Sequence, residues 1–149
     1  MNPNIQIWEG FATIDFARVQ AWLAATYWQP GVVRAVVEHQ ARNSALVIGA
    51  FTPDGLQIGY ARVVSDKSRF GYLCDVVVDE AHRGKGIGRA MVQFALKHPE
   101  HSTVTTWILK TRDAHGVYSA LEFLPITNPV NHPEAWMALR PAENSQKAR

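Results

Sequence analysis

Apolar and polar positions alternate along the chain with periods that change from element to element, and each period predicts an element. Ile5 to Phe11 alternate loosely and read as a strand. Asp15 is placed to cap a helix from Phe16 to Ala25, in which Phe16, Val19 and Leu23 return to one face. Pro30 and Gly31 open a second helix carrying Val33, Val36, Val37 and Ala41. From Ser44 the pattern changes to strands. Ala45 to Phe51 and Leu56 to Val64 flank Pro53, Asp54 and Gly55, a turn in which Pro presets its own backbone angle and Gly accepts a positive one. After the polar stretch Ser65 to Ser68, a third strand runs from Phe70 to Val78, so three consecutive strands predict an antiparallel meander.

A glycine-rich turn then leads into a helix with Ile87, Ala90, Met91, Phe94 and Ala95 on one stripe, and Pro99 ends it. Val104 to Leu109 is the next strand, followed by a short helix around Ala114 to Leu121 and a closing strand near Ala135 to Leu139. A crossover of this length makes Phe70–Val78 and Val104–Leu109 parallel neighbours. The pattern predicts an α/β (α+β) fold, with a mixed, mostly antiparallel sheet and about four flanking helices.

Composition narrows the picture without naming a chemistry. At 149 residues, 47% of them hydrophobic, the chain has the size and apolar content of one domain, assigned to residues 1–140, with the polar residues 141–149 expected to be a disordered tail. Fifteen basic residues against thirteen acidic ones are scattered, and a net charge of +2 argues against nucleic acid or a membrane surface as partner. The single cysteine, Cys74, sits in an apolar run, excludes an intrachain disulfide and reads as an inert thiol. With no secretory pattern and no apolar span of about 18 residues, a cytoplasmic location is expected. His98 and His101 imitate a pair of metal ligands, but Pro99 breaks the helix that would put both rings on one face, so no metal is expected.

Chemistry concentrates where the third strand runs into its helix, from Asp75 to Arg89. Gly84, Gly86 and Gly88 alternate with Arg83, Lys85 and Arg89, so the backbone can approach a ligand closely and its N–H groups can converge. At a helix N-terminus this arrangement favours a diphosphate. The spacing excludes two phosphate-binding patterns: the dinucleotide fingerprint needs G-x-G-x-x-G, and a Walker A loop needs G-x-x-x-x-G-K-[ST]. A nucleotide-binding module is thereby disfavoured.

Arg83, Gly86 and Gly88 instead match [RQ]-x-x-G-x-[GA], which resembles the signature of the GNAT superfamily of N-acetyltransferases. Thr111 to Tyr118 followed by Phe123 is similar to the late GNAT segment in which a helix presents a tyrosine. The order of elements from Ile5 to Leu139 agrees. Tyr27-Trp28, Ala61-Arg62-Val63, Asp75, Asp113-Ala114-His115 and Trp136-Met137 resemble a subgroup of small bacterial GNAT proteins. Glu122 stands where the family turn usually has Gly, which leaves open whether the backbone there keeps its tight turn and Tyr118 its place.

The resemblance implies a GNAT-like sheet whose central parallel strands splay apart around acetyl-CoA. Its pantetheine amides would bond to Val76 and Val78, and its diphosphate would sit on Arg83, Gly84, Lys85, Gly86, Ile87, Gly88 and Arg89. A backbone N–H near Val76–Val77 would meet the oxyanion, and Asp113 and Tyr118 complete the expected cofactor contacts. A small-molecule primary amine would attack the thioester directly. Asp75 and His115 are candidates to remove its proton, although Asp75 also reads as a carboxylate paired with a neighbouring base, and His115 as helix padding. Tyr118 is the expected acid for the departing thiolate, since a phenol near 10 and a thiol near 8.5 are matched for proton transfer. Tyr27, Trp28, Phe70 and Asp75 are candidates for the acceptor pocket, with Trp8 beside them, while Trp22 and Trp107 read as core. A non-catalytic acyl-CoA-binding module remains the alternative, and a homodimer is left open.

Overall fold

The computed structural model describes residues 4–127 and 136–141. The chain forms two compact units, the first ending at Thr111 and the second beginning at Arg112. The first contains β1 (Gln6–Glu9), α1 (Phe16–Ala24), α2 (Arg34–Arg42), β2 (Leu46–Phe51), β3 (Gln57–Ser65), β4 (Phe70–Val78), α3 (Ile87–Lys97) and β5 (Thr106–Ile108). Short 3-10 turns occupy Phe11–Thr13, Glu80–His82 and Pro99–His101. The sheet order is β1-β2-β3-β4-β5. All pairs are antiparallel except β4 with β5, so the expected meander and parallel crossover are both present.

The sheet is covered on both faces. Val47, Tyr60 and Val77 pack with Phe16, Val19, Leu23, Val37 and Ala41, which places α1 and α2 on one face. Gly59 is the neighbour of Tyr60 and so points the other way; a Cβ built on it would meet the Met91 side chain of α3 at 3.0 Å. Burial on both sides explains why all six residues of β2 are buried and why its sequence is apolar throughout. Val19 and Leu23 are fully buried, each contributing about 1.5–3 kcal/mol of burial free energy.

Local chemistry sets the ends of the elements. The Asp15 carboxylate accepts the Arg18 N–H at 3.3 Å, so the expected cap of α1 is real. Gly10, at φ 106°, turns the chain out of β1 after Glu9, earlier than the strand expected to Phe11. Val33 is the extended cap residue of α2 and, like Val36, stays exposed, so only Val37 and Ala41 of the expected set are buried there. β5 is shorter than the expected Val104–Leu109, and ahead of it the Val104 N–H bonds to the His101 carbonyl and the Thr105 N–H to the Arg69 carbonyl. Trp107 lies so close over Gly71 that a Cβ there would stand 2.5 Å from its ring, which is why β4 needs a glycine at that position. The closing strand is not found at Trp136–Leu139, which has no regular structure; Ala135 and residues 142–149, with the expected tail, lie outside the described residues.

The second unit contains α4 (His115–Ser119). Ala114 occupies its cap position, with no side-chain hydrogen bond. The helix ends in a Schellman arrangement: Phe123 N–H donates to the Tyr118 carbonyl at 3.1 Å, and Glu122 N–H to the Ser119 carbonyl at 3.0 Å. That motif needs a left-handed residue, and Glu122 takes it at φ 69°. The glycine-type turn is thus kept without a glycine, and the Tyr118 and Phe123 rings meet edge to face at 5.9 Å. A side chain in this region costs about 1 kcal/mol, so Glu122→Gly is expected to stabilise the second unit by up to that amount. Amide exchange of the Tyr118–Phe123 turn measures it, and faster exchange in the variant would contradict the assignment.

Candidate active site

Between β4 and α3 the chain passes through Glu80–His82 and then Arg83-Gly84-Lys85-Gly86. Gly84 and Gly86 are left-handed, at φ 77° and 78°, which is the conformation the glycines were expected to supply. Gly88 is helical, and a Cβ there would make ordinary contacts with Val78 and Val76 at 3.7 and 3.8 Å. The first turn of α3 therefore sits directly over the end of β4. Among the described residues no side chain caps it, and the first helical bond is Ala90 N–H to Gly86 carbonyl at 3.0 Å, so the amides of Ile87, Gly88 and Arg89 form the uncapped helix end. Lys85 and Arg89 are exposed, and no described carboxylate pairs with them or with Arg83. Arg83 braces the turn instead, its Nε donating to the Val78 carbonyl at 3.1 Å.

Asp79 anchors this turn to the rest of the first unit. Its carboxylate lies 2.8 Å from His82 Nδ1 and 3.5 Å from an Arg18 guanidinium nitrogen. The His82 hydrogen bond, opposed by a little burial and helped by the Arg18 charge, holds Asp79 below the usual carboxylate range. Trp22, expected as core, is partly buried and packs against the core cluster.

Among the described residues, the strand leading to the turn is paired along its whole length on one side only. β5 pairs with β4 only over Phe70 to Tyr72. Further along, Asp79 N–H bonds back to Ile58 carbonyl at 2.8 Å, and by the alternation of an antiparallel ladder the amides of Val78 and Val76 then face away from β3. They face the side that β5 leaves unpaired. Where the parallel strands were expected to splay, the described residues show a short ladder and then a stretch of β4 that β5 does not pair.

At the start of that stretch the β3–β4 register shifts: Tyr60 stands opposite Val77, but Arg62 opposite Cys74. The extra residue is on β4, and Asp75 absorbs it at φ 54°. Its carboxylate is buried and fully engaged. Trp28 Nε1 donates to Oδ1 at 2.8 Å, Gln29 Nε2 to Oδ1 at 2.9 Å, and Arg62 Nε to Oδ2 at 2.6 Å. Burial disfavours the charged Arg62, but its hydrogen bond and charge attraction to Asp75, with smaller help from Cys74 and Tyr60, together outweigh this and raise its pKa. Arg62 was not among the expected site residues. Its signal was a lone charge inside the apolar run Tyr60 to Val64, because a buried guanidinium requires a partner.

The remaining candidates divide by position. Tyr27 and Trp28 meet edge to face at 5.0 Å, and both are half-exposed. Phe70 opens β4, about 17 Å of strand from Asp75, and is not part of that cluster. Trp8 lies on β1, with β2 and β3 between it and β4. His115, Tyr118 and Asp113 belong to the second unit. Cys74 is half-buried, and burial pushes its thiol up, as suits an inert group. His98 Nε2 bonds to Glu9 at 2.6 Å and His101 Nδ1 to the Ala95 carbonyl at 2.7 Å, so the two rings serve the fold. Among the described residues no group of three His, Cys, Asp or Glu is placed to hold a metal, and no helix is long and apolar enough to cross a membrane.

An uncapped basic helix end beside a bulged stretch of strand that β5 leaves unpaired has the chemistry to suit an anionic, extended ligand. The model of the acetyltransferase (GNAT) family matches residues 10–123, and the chain belongs to that family. It is an acetyltransferase, and its family generally uses acetyl-CoA. Among solved structures it is similar to a Xanthomonas campestris pv. campestris protein assigned to the GNAT family, with 32% identity, 91% of this chain and 94% of that one covered, and a TM-score of 0.79. It is similar in fold to a GNAT-family acetyltransferase of Streptococcus pneumoniae TIGR4, with 19% identity, 93% and 99% covered, and a TM-score of 0.69. A Trypanosoma brucei acetyltransferase shares the fold at 19% identity, with 91% and 99% covered and a TM-score of 0.65. None of the curated proteins compared with the chain matches it.

Proposed function

We propose that this acetyltransferase carries the acetyl group of acetyl-CoA directly onto the primary amine of a small molecule, without an acyl-enzyme. The observation that carries the reading is the continuous run from Val76–Val78, which β5 leaves unpaired, to the uncapped, basic N-terminus of α3. The diphosphate would lie on the amides of Ile87, Gly88 and Arg89, next to Gly84 and Gly86, with Lys85, Arg83 and Arg89 supplying charge. Val76 and Val78 would take the pantetheine amides, and a backbone N–H at the bulge near Val76–Val77 would meet the oxyanion that forms as the amine attacks. Asp113 and Tyr118 would add further cofactor contacts.

The bond that forms is nitrogen to acetyl carbon, and the bond that breaks is carbon to sulfur. An alkylammonium titrates near about 10.4, so the amine must lose a proton before it attacks. His115 remains a candidate for that role, and the hydrogen bonds of Asp75 argue against the second candidate. Tyr118 would protonate the departing thiolate. Tyr27 and Trp28, half-exposed beside the bulge residue, support an acceptor with an apolar body; Phe70, at the far end of β4, has less support.

Thiol release from acetyl-CoA across a library of primary amines tests this reading. Acetylation of at least one amine class is expected. Tight acetyl-CoA binding with no thiol release from any amine would instead favour a non-catalytic acyl-CoA-binding module.

A further inference from the structure

Asp75 has the residue type of a general base and the surroundings of a structural clasp. Its side chain is 4% exposed, so a substrate ammonium in the cleft has no direct path to it. Its three side-chain partners, Trp28, Gln29 and Arg62, all donate N–H, and none can pass a proton on to solvent. The network also extends well beyond the bulge. Gln29 Oε1 accepts from Gln40 Nε2 at 3.0 Å, and an Arg62 guanidinium nitrogen lies 3.4 Å from Ser44 Oγ, which donates to the Gln40 carbonyl at 2.7 Å. The loop between α1 and α2, β3 and β4 thus meet at one carboxylate, and Gln29 and Arg62 carry the network on to the end of α2.

The geometry points to Asp75 as a positioning residue that holds the Trp28 indole against the β4 bulge and thereby sets the acceptor side of the cleft relative to the acyl side. This rests on the cleft reading proposed above. Two features support it. The bulge is left-handed at Asp75, a conformation that Asp and Asn tolerate better than other side chains, so the residue suits both the strand and the clasp. Trp28 is fixed at Nε1 while its ring remains half-exposed, which makes a rigid apolar face edged by Tyr27. Because Arg62 balances Asp75, the clasp brings no net charge to that face. An amine with a flat apolar body fits it better than a polycation does.

Two variants separate clasp from base. Trp28→Phe keeps a ring and the carboxylate but removes the donor at Nε1. With 2-phenylethylamine as acceptor, its KM is expected to rise about tenfold while the KM for acetyl-CoA changes less than about twofold. Asp75→Asn combined with Arg62→Gln removes both charges and leaves amides able to bond to each other and to Trp28. The acid limb of its kcat/KM profile is expected to keep the wild-type midpoint. Loss of that limb, with a fall of about 100-fold in kcat, would make Asp75 the base and overturn the proposal.

Proton exchange of the Trp28 indole gives a readout that needs no turnover. Its Nε1–H is expected to be protected in the wild type, exposed in Asp75→Ala, and protected again in the double amide variant. An unprotected indole in the wild-type protein overturns the clasp. If the wild type leaves 2-phenylethylamine unacetylated, the reading of the acceptor fails, and the indole exchange still decides the clasp.

Discussion

Gly86→Asp is expected to weaken acetyl-CoA binding at least about 100-fold, a loss of about 2.7 kcal/mol. Gly86 is the residue before α3 and has φ 78°. Asp is among the side chains that tolerate this region, at a cost of about 1 kcal/mol. As a helix cap its carboxylate also recovers about that much by accepting a first-turn N–H. The variant therefore folds, but a negative charge and an internal hydrogen bond then occupy the place of the diphosphate. Gly86→Asn separates the two effects, because it caps without charge and is expected to bind more tightly than the Asp variant. Calorimetric titration measures both. Wild-type affinity in Gly86→Asp would remove the diphosphate from this turn.

Tyr118→Phe is expected to lower kcat by about 100-fold and to leave the KM for acetyl-CoA nearly unchanged. The substitution keeps the ring, so its edge-to-face contact with Phe123 and the backbone turn through Glu122 persist. Only the proton donor is lost. A thioester of a more acidic thiol needs less help in departing, so the deficit should shrink with such a substrate. Undiminished turnover with acetyl-CoA would mean that the thiolate takes its proton elsewhere.

The elements most legible in the sequence were those whose local chemistry and burial agree. β4 runs from Phe70 to Val78 as its apolar run indicated, and α1 has both its Asp15 cap and its buried face of Phe16, Val19 and Leu23. Val33 misled because it caps α2 in an extended conformation rather than packing within it. At the expected closing strand the backbone of Trp136–Leu139 has no regular structure, and Met137 and Leu139 are each 94% exposed.

At the candidate site the left-handed glycines were legible because Gly84 and Gly86 announce their backbone angles. The bulge was not, since it arises from the pairing of two strands and its left-handed residue is Asp75. The clasp was hidden for a related reason: Trp28, Arg62 and Asp75 are distant in sequence and meet only after the sheet has formed. Glu122 is the opposite case, a departure from the family pattern that suggested a changed turn, where the hydrogen bonds of the helix end proved strong enough to hold a side chain in a glycine conformation.

The central claim is that the stretch of β4 that β5 leaves unpaired and the uncapped end of α3 together hold acetyl-CoA. Backbone amide resonances followed during an acetyl-CoA titration test it directly. Saturating shifts are expected at Val76, Val78, Ile87, Gly88 and Arg89, largest at the helix end. Saturable binding whose shifts leave these five amides in place would contradict it.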